Sequence, residues 1–136
     1  MSHARVRTLF SAALANFAQQ KGLQVSYDNV KVEFTGDTYI KSHTIPSDTF
    51  SDTLSGDHKG YIGMYQMTIV TKYGVGSLVA ESLVDELQSI FLVNKMFTDT
   101  SGFSVQVISP IKVPEGKQDG TVWLLPCYFD YRADTN

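Results

Sequence analysis

Residues able to do chemistry are few in this sequence, and their spacing is poor for it. His3, His43 and His58 are the only histidines, and Cys127 is the only cysteine. No two histidines stand at the i, i+4 spacing that lets one helix face hold zinc, and no CxxC pair accompanies them. His58 beside Asp57 and Asp52 could meet a metal or a partner, but a solvated loop histidine is the simpler reading. Asp48, Asp52 and Asp57 do not follow the DxDxDG spacing that wraps calcium. Cys127 falls on the apolar parity of an expected strand, which favours a buried, inert thiol over a nucleophile. Gly74-Val75-Gly76-Ser77 lacks both the Lys-Ser/Thr of a phosphate loop and the third glycine of a dinucleotide fingerprint. Its glycines are expected to serve a turn. Tyr61, Tyr65 and Tyr73 have only Lys59 and Lys72 near them and match no RNA-binding motif. Neither a catalytic residue, a cofactor nor a metal is expected.

Elements rather than sites must therefore carry the function. The chain has 136 residues, of which 43% are hydrophobic, and a formal net charge of −3. That is one domain, residues 1–136, apolar enough to fold without a staple. Eleven Lys and Arg against fourteen Asp and Glu give no field to gather a polyanion. A lone cysteine excludes an intrachain disulfide and suits a reducing cytoplasm. No run approaches the roughly 20 apolar residues needed to span a bilayer, and the N-terminus lacks a signal-peptide core. The chain is expected to be soluble, with no membrane partner.

Val6, Leu9, Phe10, Ala13, Leu14 and Phe17 recur at spacings of three and four, predicting a helix from Ala4 to Lys21 that stops at Gly22. The period then falls to two. Leu23, Val25 and Tyr27 alternate, as do Val30, Val32 and Phe34, with a bulge or turn expected at Asp28-Asn29. Thr38 to Ile45 reads as extended and is expected to end at Pro46, which has no N–H to give a ladder. A strand from Gly60 to about Lys72 follows. Ser77 is expected to cap a second helix reaching about Phe91, with Leu83, Leu87, Ile90 and Phe91 on its apolar stripe. Met96-Phe97 begins a short extended piece, and Phe103, Val105 and Val107 alternate up to Pro110. Thr121 to Tyr131 is the last strand, placed at an edge or bulge by Pro126. This order predicts an α+β two-layer sandwich: an antiparallel or mixed sheet with two helices packed on it.

Two segments are too polar for a core and are expected to be exposed, mobile loops: about 47–59 and 111–120. The first reads SDTFSDTLSGDHK, with a charge of about −2. Phe50 and Leu54 are its only apolar anchors, so it is expected to become ordered against a partner. Asp48, Phe50, Asp52 and Leu54, together with Lys112 and Lys117 in the second segment, are the candidate interaction residues.

Val25-Ser26-Tyr27-Asp28-Asn29 after the first helix, Thr38-Tyr39-Ile40, Gly63-Met64-Tyr65-Gln66-Met67-Thr68-Ile69 after a polar loop, and Tyr73-Gly74-Val75-Gly76 leading into Leu83-Val84-Asp85-Glu86-Leu87 and Phe91 form a recognisable linear plan. It resembles the tail terminator family of long-tailed bacteriophages and related prophage proteins, over about residues 4 to 131. The resemblance implies a structural virion protein: a ring, usually of six copies, that caps the polymerised tail tube. It implies the tail tube protein and head-completion proteins as partners, DNA passing through the ring without specific binding, and a place in the virion tail after synthesis in the host cytoplasm. The scarcity of Lys and Arg clusters departs from what a pore lining close to DNA would need. A head-completion or neck component, and a small enzyme with an unrecognised site, are the alternative readings.

Overall fold

The computed structural model describes residues 2–27, 38–50, 59–74 and 78–135. Helix α1 spans Ser2–Lys21 and helix α2 spans Leu78–Ile90. The strands are β1 (Gln24–Ser26), β2 (Tyr39–Phe50), β3 (Lys59–Lys72), β4 (Met96–Thr98), β5 (Ser104–Val107), β6 (Lys117–Asp119) and β7 (Val122–Thr135). They join in one mixed sheet of order β1-β2-β3-β7-β5-β4, with β6 also on β7. Among the described residues, β1 and β2 pair in parallel and the other ladders are antiparallel. The α+β class stands, but the sheet curls into a half-barrel rather than forming the flat layer of a two-layer sandwich.

Helix α1 buries Val6, Phe10, Leu14, Phe17 and Ala18, while Leu9 and Ala13 pack at the margin. Its end is a Schellman motif. Gly22 has φ +70°, its N–H reaches Gln19 O at 3.3 Å, and the N–H of Leu23 reaches Ala18 O at 2.8 Å. Glycine fits because a Cβ is disfavoured at that angle. In α2, Ala80, Leu83, Val84 and Leu87 are buried, so Ala80 and Val84 join Leu83 and Leu87 on the buried stripe. Phe91, just past the helix, is buried with them. The Ser77 cap, the Asp28-Asn29 bulge and the Val30–Phe34 alternation lie outside the described residues.

Strand β7 is the spine. It pairs with β3 from Lys59↔Thr135 to Lys72↔Val122, without a register shift. Leu125, Cys127, Phe129, Tyr131 and Ala133 face the core, as their shared parity predicts.

Three expectations fail here. First, Pro46 does not end β2, which runs on to Phe50. The register shifts between Pro46↔Gly63 and Asp48↔Ile62, so Ser47 is an extra residue that forms a bulge. Alternation makes Pro46↔Gly63 a non-hydrogen-bonded pair whose proline nitrogen faces away from β3. The ends of the expected loop 47–59 are therefore strand, and only 51–58 lie outside the described residues. Second, Pro126 sits in a central strand with regular pairing to Thr68. Tyr128 gives its N–H to Lys112 O at 3.0 Å and Asp130 gives its own to Ser109 Oγ at 2.9 Å. By alternation, the donor that Pro126 lacks falls on that same side, between the Lys112↔Tyr128 bridge and the β6 rungs. Third, segment 111–120 is not all loop: it holds β6, that bridge, and the buried Ile111.

The core is aromatic. Phe10 lies 5.1 Å from Tyr65, 5.1 Å from Phe129, 5.5 Å from Phe97, 5.8 Å from Tyr131 and 5.9 Å from Phe91, ring centre to ring centre. Truncation there leaves a large hole that rigid strands cannot fill. Phe10→Ala is expected to lower unfolding stability by about 3–5 kcal/mol and Leu87→Ala by about 2–5 kcal/mol, read from urea midpoints. An unchanged midpoint for Leu87→Ala would mean that the α2 stripe is not core.

Candidate assembly surface

Alternation along the strands gives the sheet two faces. One parity, with Tyr65, Met67 and Ile69 on β3 and Phe129 and Tyr131 on β7, joins the helices in the core. The other can be read rung by rung across the ladders. Ile45 pairs with Met64, and Met64 with Asp130, whose carbonyl accepts the N–H of Ile108 at 2.9 Å. The next row runs Ile62, Arg132, Gln106 and Met96. On the other side come His43, Gln66, Tyr128 and Lys112. Ile45, Ile108 and Met96 are 41%, 44% and 53% exposed, unusual for large apolar side chains. A groove of about 450 Å³ opens here, lined by Ile45, Pro46, Ile62, Met64, Ile108 and Asp130 among others.

Of the candidate interaction residues, Lys112 belongs to this face. Its Nζ lies 3.2 Å from Asp130 Oδ2 and 5.6 Å from the centre of the Tyr128 ring. Lys117 is exposed on β6, opposite Leu124. Asp48 and Phe50 occupy the outer end of β2, and Asp52 and Leu54 lie outside the described residues. Among the four that are described, Lys112 and Lys117 lie along β7, and Asp48 and Phe50 on β2 ladder to β3. The groove residues Ile45, Ile62, Met64 and Ile108 were missed. Their signal was β3 itself, where apolar side chains occupy both parities instead of one.

The chemical candidates resolve into structural roles. Cys127 is fully buried, its Sγ 3.2 Å from Met67 O, and burial pushes the thiol up to about 12. A thiol so desolvated forms little thiolate near neutrality. Hydrogen bonds from the hydroxyl of Ser101, and from the N–H groups of Phe103 and Ser101, hold the Asp99 carboxyl below its usual range and tie the β4–β5 turn. Among the described residues, no three His, Cys, Asp or Glu side chains stand together as metal ligands. His58 lies outside the described residues.

The fold recurs in a solved structure 29% identical in sequence, with a TM-score of 0.80, covering 98% of this chain and 96% of that one. A small α+β domain of this build, with an exposed apolar sheet face, is the class of protein in hand. The sequence profile of a family described as phage tail terminator protein matches residues 5–131, so the chain belongs to the phage tail terminator family. It is a structural protein of the phage tail. No curated protein matches it significantly.

Cys127 offers a direct check on the packing of this sheet. In the native protein at pH 8 it is expected to resist an aromatic disulfide reagent, and to react once per chain after unfolding in guanidinium. Rapid reaction in the native state would mean that β3 and β7 open locally.

Proposed function

We propose that the protein is the tail terminator itself: a ring of six copies that caps the polymerised tail tube and presents a joining surface to head-completion proteins. The observation that carries this reading is the family match, which spans residues 5–131 and so includes every element from α1 to β7. The ring is a homo-oligomer made in the host cytoplasm, of phage or prophage origin, and it ends in the virion tail.

A closed ring needs two different, complementary patches on each copy. The apolar groove face, with Ile45, Met64 and Ile108, is one such patch, and the outer end of β2 near Asp48 and Phe50 lies at its border. Segment 51–58, with Asp52 and Leu54, continues from there, and we assign its ordering to contact with the tube or a neighbouring copy. The net charge of −3 per chain suits a channel through which DNA slides without being held.

Electron microscopy and mass photometry of the purified protein test the ring. Six-fold rings that stop tube growth when added to polymerising tube protein are expected. Binding to head connectors with no effect on tubes would point to a neck component, and overturn the capping role. Ile108→Glu, at an exposed position, is expected to leave subunit stability within about 0.5 kcal/mol while weakening ring formation or tube capping. Full assembly by that variant would remove the groove face from the interface.

A further inference from the structure

The β2–β3 ladder has a weak rung at one level. Pro46 faces Gly63, and the extra residue Ser47 follows immediately. Alternation makes this rung a non-hydrogen-bonded pair, with the Pro46 nitrogen facing away from β3, and glycine gives it no side chain. The absence at 63 is required, because a Cβ there would stand 2.6 Å from Ile45 O and 2.6 Å from the Tyr131 hydroxyl. Past this joint β2 continues through Asp48, Thr49 and Phe50, laddered to Ile62, Tyr61 and Gly60. The parallel partner β1 supports only the far end of β2, at Tyr39, Ile40 and Lys41.

His3, in the first turn of α1, reaches across this joint. Its Nδ1 is 2.7 Å from the Tyr131 hydroxyl, and its Nε2 is 3.2 Å from Thr49 Oγ1. The ring meets Tyr61 edge-on at 5.1 Å and Tyr131 at 6.1 Å. Burial pushes the Tyr131 phenol up to about 12, so it keeps its proton. In the tautomer whose Nδ1 accepts from that phenol, Nε2 carries the ring hydrogen and donates to Thr49. One side chain thus joins α1, β7 and the outer end of β2.

We propose that His3 is a releasable clamp on the outer end of β2. Closed, it ties residues 47–50 to the core through Tyr131; open, that end pivots at the Pro46–Gly63 rung while the rest of the sheet stays laddered. The bond to Thr49 is the one that opens, being the longer of the two and exposed, whereas the bond to Tyr131 is partly buried. A local opening of this kind costs far less than unfolding, because only the rungs beyond the bulge are lost. The clamp stands on the isolated subunit and does not depend on the ring.

Amide hydrogen exchange on the whole protein tests it, comparing wild type with His3→Ala, His3→Gln and Thr49→Val. His3→Ala is expected to speed exchange about five- to tenfold at the protected amides of residues 48–50, the scale of one lost hydrogen bond, with residues 40–44 and 67–70 unchanged. Thr49→Val, which removes the outer bond at an exposed position and leaves His3 and Tyr131 in place, is expected to do the same. His3→Gln, with a donor and an acceptor on one amide, is expected to restore most of the protection. Uniform acceleration along β2 in Thr49→Val would make the contact part of global stability and end the clamp. Unchanged exchange at 48–50 in both His3→Ala and Thr49→Val would end it equally.

Discussion

The ring of Phe10 is the contact on which the two halves of this domain depend. It is the one side chain of α1 that meets β3 through Tyr65, β7 through Phe129 and Tyr131, β4 through Phe97, and the end of α2 through Phe91. Most of these pairs are tilted or edge-to-face, the arrangements in which aromatic quadrupoles attract. Val6, Leu14, Phe17 and Ala18 are buried along the same stripe of the helix. It carries no acidic residue in its first turn and one basic residue in its last, so dipole effects contribute little. Its position comes from what its apolar stripe buries.

An aromatic core of this kind has to dispose of its phenols. Tyr65 and Tyr131 are both fully buried, and an unpaired hydroxyl there would cost more than the ring gains at the margin. Tyr65 is answered by Ser42 Oγ at 2.6 Å, across the β2–β3 ladder. Tyr131 is answered by His3 from the helix side. The two bonds fix β2 and α1 to the same pair of central strands, which gives direction to packing that apolar contact alone leaves loose. By contrast the Lys21–Glu86 pair between the two helices is exposed and adds little.

How much of this was legible in the sequence follows from how local each signal is. The stripe of α1, the Gly22 stop and the parity of β7 depend on neighbours within a few residues, and all three could be read directly. Pro46 and Pro126 could not, because the cost of a proline depends on which side its missing donor faces and what pairs there. For Pro46 the missing donor faces away from β3, at a non-hydrogen-bonded pair; for Pro126 it falls in the gap between β6 and Lys112. The curl of the sheet is non-local in the same way. The candidate site was less legible still. Charged residues such as Lys112 stood out by type, whereas the groove's Ile45, Met64 and Ile108 come together only through three ladders.

The bulge links the misread residue to the missed surface. Inserting Ser47 shifts the register of β2 against β3 beyond Pro46 by one residue. Pro46 and Ser47 themselves line the groove, beside Gly63, whose missing side chain lets Ile45 O and the Tyr131 hydroxyl approach closely. A regular strand there would have closed the ladder and carried its alternation unbroken toward residue 50. The irregularity therefore shapes the exposed apolar face and sets the direction in which the outer end of β2 leaves the sheet. For a structural protein of the phage tail, specificity resides in such shape. The rung where sequence patterning fails is where the fold departs from a generic helix-on-sheet domain.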